Sequence, residues 1–280
     1  MGVRMGSRKY QPDVDAILAR RHDNGGDYWA SADARLGVGD PFSTLTALLL
    51  LCELKVPRTH EAVEGALRLV RDAWRSDGRY RLAPGGAIYP CATAGAARVL
   101  CRYGQARDPR LRQTLTHLLE TQHDDGGWRC SKFSYGHGPE TRFSNPGVTL
   151  WVLDAFRFTD HLNGNPALDR AVDSLLDHWV VRRPIGPCHF GIGTLFLQVE
   201  YPLLRYNLFN YVYVLSFYDR ARDDPRYREA LGLFQSKLDG RGRVVVERPN
   251  RKLAGLSFCA AGRPSELATA RYREIVKNLE

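Results

Sequence analysis

No window of the 280-residue chain reaches the roughly 18 consecutive apolar residues that a membrane-spanning helix needs. The best stretch, Leu45 to Leu54, is broken by Thr46, Cys52 and Glu53. The basic start, Met1 to Tyr10, lacks the apolar core of a secretory signal, so a cytoplasmic protein with no transmembrane segment is expected. Cysteine is sparse: Cys52, Cys91, Cys101, Cys130, Cys188 and Cys259 are scattered through a chain too long to need covalent staples. That distribution implies free thiols or metal ligands rather than a disulfide framework. Nucleic-acid-binding motifs are also missing. The net charge of +9 favours an anionic partner in general. Its arginines, however, are spread over predicted helix ends, as at Arg20, Arg107, Arg182 and Arg226, and no nucleic-acid partner is expected.

What the chain does have is punctuation. Pro41, Pro90, Pro146, Pro202 and Pro264 each precede a polar and then an apolar run, at intervals of roughly 50–60 residues. Proline suits a first helical turn, where its missing N–H would be unpaired anyway. The helices that follow are apolar on nearly all sides (Leu45 to Leu51, Ala92 to Leu100, Val148 to Phe158, Leu208 to Phe217), as expected of helices packed between a lumen and other helices. A second series starts at Gln11-Pro12, Thr59-His60, Asp108-Pro109, Asn165-Pro166 and Asp224-Pro225, mostly behind a good N-cap residue. These helices are half polar. In Asp108 to Gln122, Leu111, Leu115, Leu118 and Leu119 recur at helical spacing while Arg110, Arg112 and Glu120 face elsewhere.

After four of the amphipathic helices comes a glycine turn: Asp23 to Trp29, Asp77 to Tyr80, Asp124 to Trp128 and Asp239 to Gly242. After the other it is replaced by Pro184 to Phe190. Alternating outer and inner helices joined by Gln122-His-Asp-Asp-Gly-Gly-Trp128 resemble the prenyltransferase and squalene oxidase repeat family, which includes squalene-hopene cyclases and protein prenyltransferase β-subunits. The resemblance spans essentially the whole chain. It implies an all-α fold, an α/α toroid of about five inner/outer helix pairs, as one domain over residues 1–280. The family usually has six or seven pairs, so five imply a small or incompletely closed ring.

Function has to be argued from the site. If the inner helices run the same way, their first turns meet at one end of the lumen. Ser43, Thr93, Asn145, Thr149, Arg205 and Asn207 would gather there, either as an anion site on the helix dipoles or merely as caps. Cyclases of the resembled family protonate an alkene with an Asp-x-Asp-Asp acid, and that motif is absent, as is Asp-Asp-x-x-Asp. The nearest string, Asp13-Val-Asp-Ala16, is expected only to cap an outer helix. Prenyltransferases of the family hold zinc with Asp, Cys and His to make a thiolate nucleophile. Cys91, Cys130, His137, Cys188 and His189 lie on connections entering the lumen mouth and are the candidate ligands; buried apolar cysteines and loop histidines are the plainer reading. Tyr89 and Pro90 stand where the family's Asp-x-Cys pattern would begin.

The candidate catalytic residues are Cys91, Glu200 and Asp154, although Asp154 with Arg157 three residues on reads more simply as an ion pair. The candidate substrate-binding residues are Arg205, Tyr206, Asn145, Trp151 and Tyr213. Tyr206, Phe209, Asn210, Tyr213 and Phe217 would share one helix face, suited to lining a lumen or to filling a core. The leading expectation is a cyclase-like or prenyltransferase-like enzyme, with zinc as its one candidate cofactor, acting on a small, partly apolar substrate of isoprenoid or diphosphate type. The alternative is a non-catalytic toroid that binds a lipid or a protein partner. A third option is a metal-dependent thiol-alkylating enzyme that needs a second subunit.

Overall fold

A computed structural model describes residues 8–280; residues 1–7, part of the basic start, lie outside the described residues. Among the described residues the secondary structure is twelve α-helices with short 3-10 turns, and extended pairing is limited to isolated bridges. The inner helices are α2 (Thr44–Glu53), α4 (Pro90–Arg102), α6 (Pro146–Phe156), α9 (Leu208–Leu215) and α12 (Glu266–Leu279). The outer ones are α1 (Gln11–Leu18), α3 (Glu61–Asp72), α5 (Pro109–Glu120), α7 (Pro166–Val181) and α11 (Pro225–Gln235). Two single-turn helices, α8 (Thr194–Leu197) and α10 (Asp219–Arg222), lie in connections.

Burial separates the two series as their composition requires. All residues of α9 are buried, and all of α6 except Trp151. In α5 only Leu111, Thr114, Leu115 and Leu118 are, at the three-and-four spacing of one face. In turn, α2 packs on α4, α4 on α6, α6 on α9 and α9 on α12, while α3, α5, α7 and α11 pack outside α2, α4, α6 and α9. The result is an α/α toroid of five helix pairs.

The ends of the chain are tied together. Asp13 of α1, expected only to cap its own helix, instead accepts hydrogen bonds from the Ser257 N–H (2.8 Å), the Ser257 hydroxyl (2.8 Å) and the Phe258 N–H (3.0 Å). Its side chain is buried because it faces the incoming last repeat. Arg271 of α12 donates to Glu53 of α2 at 3.0 Å, so the first and last inner helices are joined directly.

Proline opens fewer inner helices than its spacing predicts. Pro90 and Pro146 occupy the first turns of α4 and α6. Near Pro41, Pro202 and Pro264 the helix begins later, where a side chain caps it: Ser43, Asn207 and Ser265 accept from the N–H groups of Thr46, Asn210 and Ala268. A cap that satisfies an orphan N–H fixes the start more strongly than a preset φ. Outer helices follow expectation, with Asp108, Asn165 and Asp224 capping and proline next.

The turns share one closure. Backbone N–H to carbonyl bonds link Gly26 to Ala30, Arg75 to Arg79, His123 to Gly127 and Asp239 to Arg243. The divergent Pro184 to Phe190 segment closes the same way with one residue more, Ile185 to Phe190. In three repeats an inner-helix threonine then anchors the outgoing strand of the turn. Thr93, Thr149 and Thr269 accept from the N–H groups of Tyr80, Trp128 and Val244. Gly126, at φ +85°, permits one of these turns to pack against α7, since a Cβ there would sit 2.4 Å from the Arg170 carbonyl oxygen.

Candidate functional site

The inner helices run in one direction. A cavity of about 550 Å³ is lined at its mouth by residues before or within their first turns, Ser43, Cys91, Gly147 and Tyr206 among them. This is the lumen. One face of α2 (Leu45, Thr46, Leu49), one of α4 (Cys91, Gly95, Arg98) and one of α6 (Gly147, Val148, Trp151) form its wall. Each set follows helical spacing. Leu204, Arg205 and Tyr206, just before α9, complete the circuit, and Lys132, Phe133 and Tyr135 overhang the mouth.

Small residues shape the wall. Gly147 lets the Phe190 ring lie against α6, since a Cβ there would come within 2.7 Å of it. The Trp151 indole N–H is buried with no hydrogen-bond partner among the described residues. Tyr206 donates its hydroxyl hydrogen to His178 Nδ1 (2.8 Å), because His178 Nε2 faces the Arg183 carbonyl at 3.2 Å and carries the ring proton. Burial lowers the His178 pKa to about 4, so this ring is neutral near pH 7 and fixes the Tyr206 hydroxyl by accepting its hydrogen.

The floor is a layer of buried charge. Arg98 donates to Asp154 and to the carbonyls of Leu203 and Leu204. Asp154 also accepts from Arg102 (2.8 Å) and Arg157 (2.6 Å). Arg102 reaches on to Glu53 at 3.1 Å, which takes further bonds from Arg271 (3.0 Å) and the Tyr201 hydroxyl (2.8 Å). Burial opposes ionisation of both carboxylates, yet the surrounding arginines hold Asp154 well below the usual carboxylate range and lower Glu53 as well. Asp154 thus sits in an ion-pair network with Arg98, Arg102 and Arg157, the plainer of its two sequence readings. The sequence spacing found its Arg157 partner; it missed Arg98, Arg102 and Glu53. A charged residue inside an otherwise apolar helix was the signal available for Arg98 and Glu53.

Of the remaining candidates, Cys91, Cys188, Arg205, Tyr206 and Trp151 line the lumen, while Glu200, Asn145 and Tyr213 do not. Glu200 is buried away from the cavity lining, and that burial raises its pKa. Asn145 accepts the Cys130 N–H at 2.6 Å and positions that loop. Tyr213 lies at the opposite end of the ring, bonded to Glu274 at 2.6 Å. The expected aromatic face of α9 breaks up because the helix covers only Leu208–Leu215: Tyr206 precedes it, and Phe209 turns outward to stack on Phe234 at 4.6 Å. The cap residues Ser43, Asn207 and Ser265, and the threonines that hold the turns, are engaged as described, which is the capping alternative of the two sequence readings. Asp40, absent from the sequence-derived set, is the acidic residue among those lining the lumen, and its carboxylate accepts the Ser43 and Thr46 hydroxyls at 2.7 Å each.

Three of the candidate ligands, Cys91, Cys130 and Cys188, lie beside one another. The interaction between the two thiols pushes the Cys130 thiol down, helped by the nearby backbone N–H groups of Lys132 and Cys91, and together with burial pushes the Cys91 thiol up. Cys188 donates to the Cys130 carbonyl at 3.4 Å. His137 and His189 are exposed, and the loop that carries His137 is tied instead to Glu140, whose Oε1 accepts the His137 N–H at 3.0 Å. Among the described residues no group of three or more His, Cys, Asp or Glu side chains is arranged to hold a metal ion. Nor is any helix among them long and apolar enough to cross a membrane.

No protein-family model matches the chain. No curated protein matches it either. Solved structures do. A protein from Actinoplanes is similar over 96% of this chain and 75% of its own, with 17% identity and a TM-score of 0.51. A tyrosine-to-phenylalanine variant of the type II terpene cyclase MstE from Scytonema, in its apo form, is similar over 97% of this chain and 77% of its own, with 16% identity and a TM-score of 0.50. At such identities the likeness is one of fold, and it places the architecture built up above among helical toroids of the terpene-cyclase type.

Proposed function

We propose that the chain is a cyclase-like or prenyltransferase-like enzyme whose lumen takes a small, partly apolar substrate of the isoprenoid class. One observation carries the reading: an open cavity of about 550 Å³ whose wall is largely apolar and aromatic, with Arg98 at its floor and the polar groups Asp40, Cys91, Arg205 and Tyr206 toward the mouth. That volume falls within the roughly 300–1,000 Å³ of small-molecule pockets, and a few convergent polar groups on an apolar wall are what orient such ligands. The rings of Trp151, Tyr206 and Phe190 present faces suited to a greasy chain or to a developing positive charge. The Trp151 N–H offers a hydrogen bond that no group among the described residues takes up. The shared fold with a type II terpene cyclase adds support at the level of architecture.

Binding without turnover is the second reading, and the state of the carboxylates favours it. Asp154 is held ionised below the floor, and Asp40 is exposed at the rim, so neither matches the buried, pre-positioned acid that alkene protonation demands. Incubating the protein with geranylgeraniol and with geranylgeranyl diphosphate separates the readings. Enzyme activity predicts new products by mass spectrometry that disappear in Asp40→Asn or Cys91→Ala. Ligand-dependent quenching of Trp151 fluorescence, absent in Trp151→Phe and without product, would support binding alone. Neither quenching nor product would overturn the lumen as the site.

A further inference from the structure

The last turns of the inner helices frame a second cavity, of about 330 Å³, on the far side of the charge layer from the lumen. Arg102, Arg157, Arg271 and Lys277 stand in its lining against one lining carboxylate, Glu274. Behind the wall, Glu53 and Asp154 are already engaged by Arg102, Arg271 and Arg157. Cations at helix C-termini offset the carbonyl dipoles, which accounts for Arg102 and Arg157 standing where they do.

It does not account for the donors left over. The Arg157 side chain is 8% exposed, yet its Nε alone has a protein partner; among the described residues neither terminal nitrogen is bonded. Lys277, at the exposed rim, has no partner among the described residues either. The Arg157 guanidinium carbon lies over two aromatic rings, 4.0 Å from the Phe158 ring centroid and 4.5 Å from that of Phe217. A guanidinium bonded at Nε to Asp154 and packed over two rings is restrained, and its two terminal nitrogens are left as a fork. That geometry matches two oxygens of an oxyanion, and little ordering entropy remains to be lost on binding.

We propose that this cavity binds a small, multiply charged oxyanion of the phosphate class, diphosphate included, with Arg157 and Lys277 as its principal donors. The site is separate from the lumen and does not depend on what the lumen takes. Calorimetric titration of the full chain with inorganic pyrophosphate tests it, alongside Lys277→Glu, Arg157→Gln and Lys132→Glu. Lys132 overhangs the lumen mouth, so its reversal applies the same charge change at the other end. The expected result is saturable one-to-one binding, weakened at least tenfold by Lys277→Glu and Arg157→Gln and little changed by Lys132→Glu. Lys277 is exposed, so its variant reports on binding even if Arg157→Gln folds poorly. No saturable binding to the unaltered protein, equal weakening by Lys132→Glu, or full affinity in Lys277→Glu would overturn the proposal.

Discussion

Arg98 of α4 is paired with Asp154 of α6, 56 positions away in the chain, and the lumen ends on that pair. Because Asp154 serves three arginines, removing its charge leaves them uncompensated in the interior. Asp154→Asn is expected to lower unfolding free energy by about 3–5 kcal/mol, the range found when one partner of a buried pair is lost. Urea denaturation measures it. Restoring balance with Arg98→Met in the same chain should recover part of the loss, and a double-mutant cycle gives the coupling.

Ring closure makes a second prediction. Asp13→Ala removes the acceptor for two backbone N–H groups and one hydroxyl at the 257–259 turn. A loss of about 2–3 kcal/mol is expected, as for buried donors to a charged group. Hydrogen exchange should localise the loosening to α1 and the segment leading into α12.

His178 sets an acid limit on stability. Its pKa falls from 6.5 to about 4 on folding because burial disfavours the charged ring. The unfolded chain therefore takes up a proton as pH drops below 6.5, and the folded chain resists until about 4. Stability contributed by the neutral ring is present above 6.5 and is lost progressively between those values, by on the order of 3 kcal/mol at 1.36 kcal/mol per pKa unit. His178→Gln should flatten that limb of the stability profile, whatever it does to the plateau near pH 7.

Two glycines in the lumen wall should respond in opposite ways. Alanine in a helix interior is favoured over glycine by about 1 kcal/mol. At Gly95 the nearest neighbour of an added Cβ is a flexible Leu45 methyl at 3.4 Å, so Gly95→Ala should raise the thermal midpoint slightly. At Gly147 the Phe190 ring stands at 2.7 Å, so Gly147→Ala should lower the midpoint, displace Phe190 and alter lumen binding.

The amino-acid sequence by itself determined the helix pairs, their order and their inner or outer placement. Those features follow from local physics: Asp108 caps α5 through its own neighbours, the leucines of α5 fall on one face by helical period, and Gly126 turns the chain where only glycine fits. Even the Asp154–Arg157 pair was legible, since residues three apart are neighbours on a helix surface. Only the tertiary structure decided that Arg98 and Arg102 also converge on Asp154, that Glu53 meets Arg271 across the ring, and that Tyr213 faces away from the lumen. Those outcomes depend on how far each helix is rotated about its axis and where its first residue falls. That rotation is fixed by packing against several neighbours at once, and no pattern along one segment encodes it.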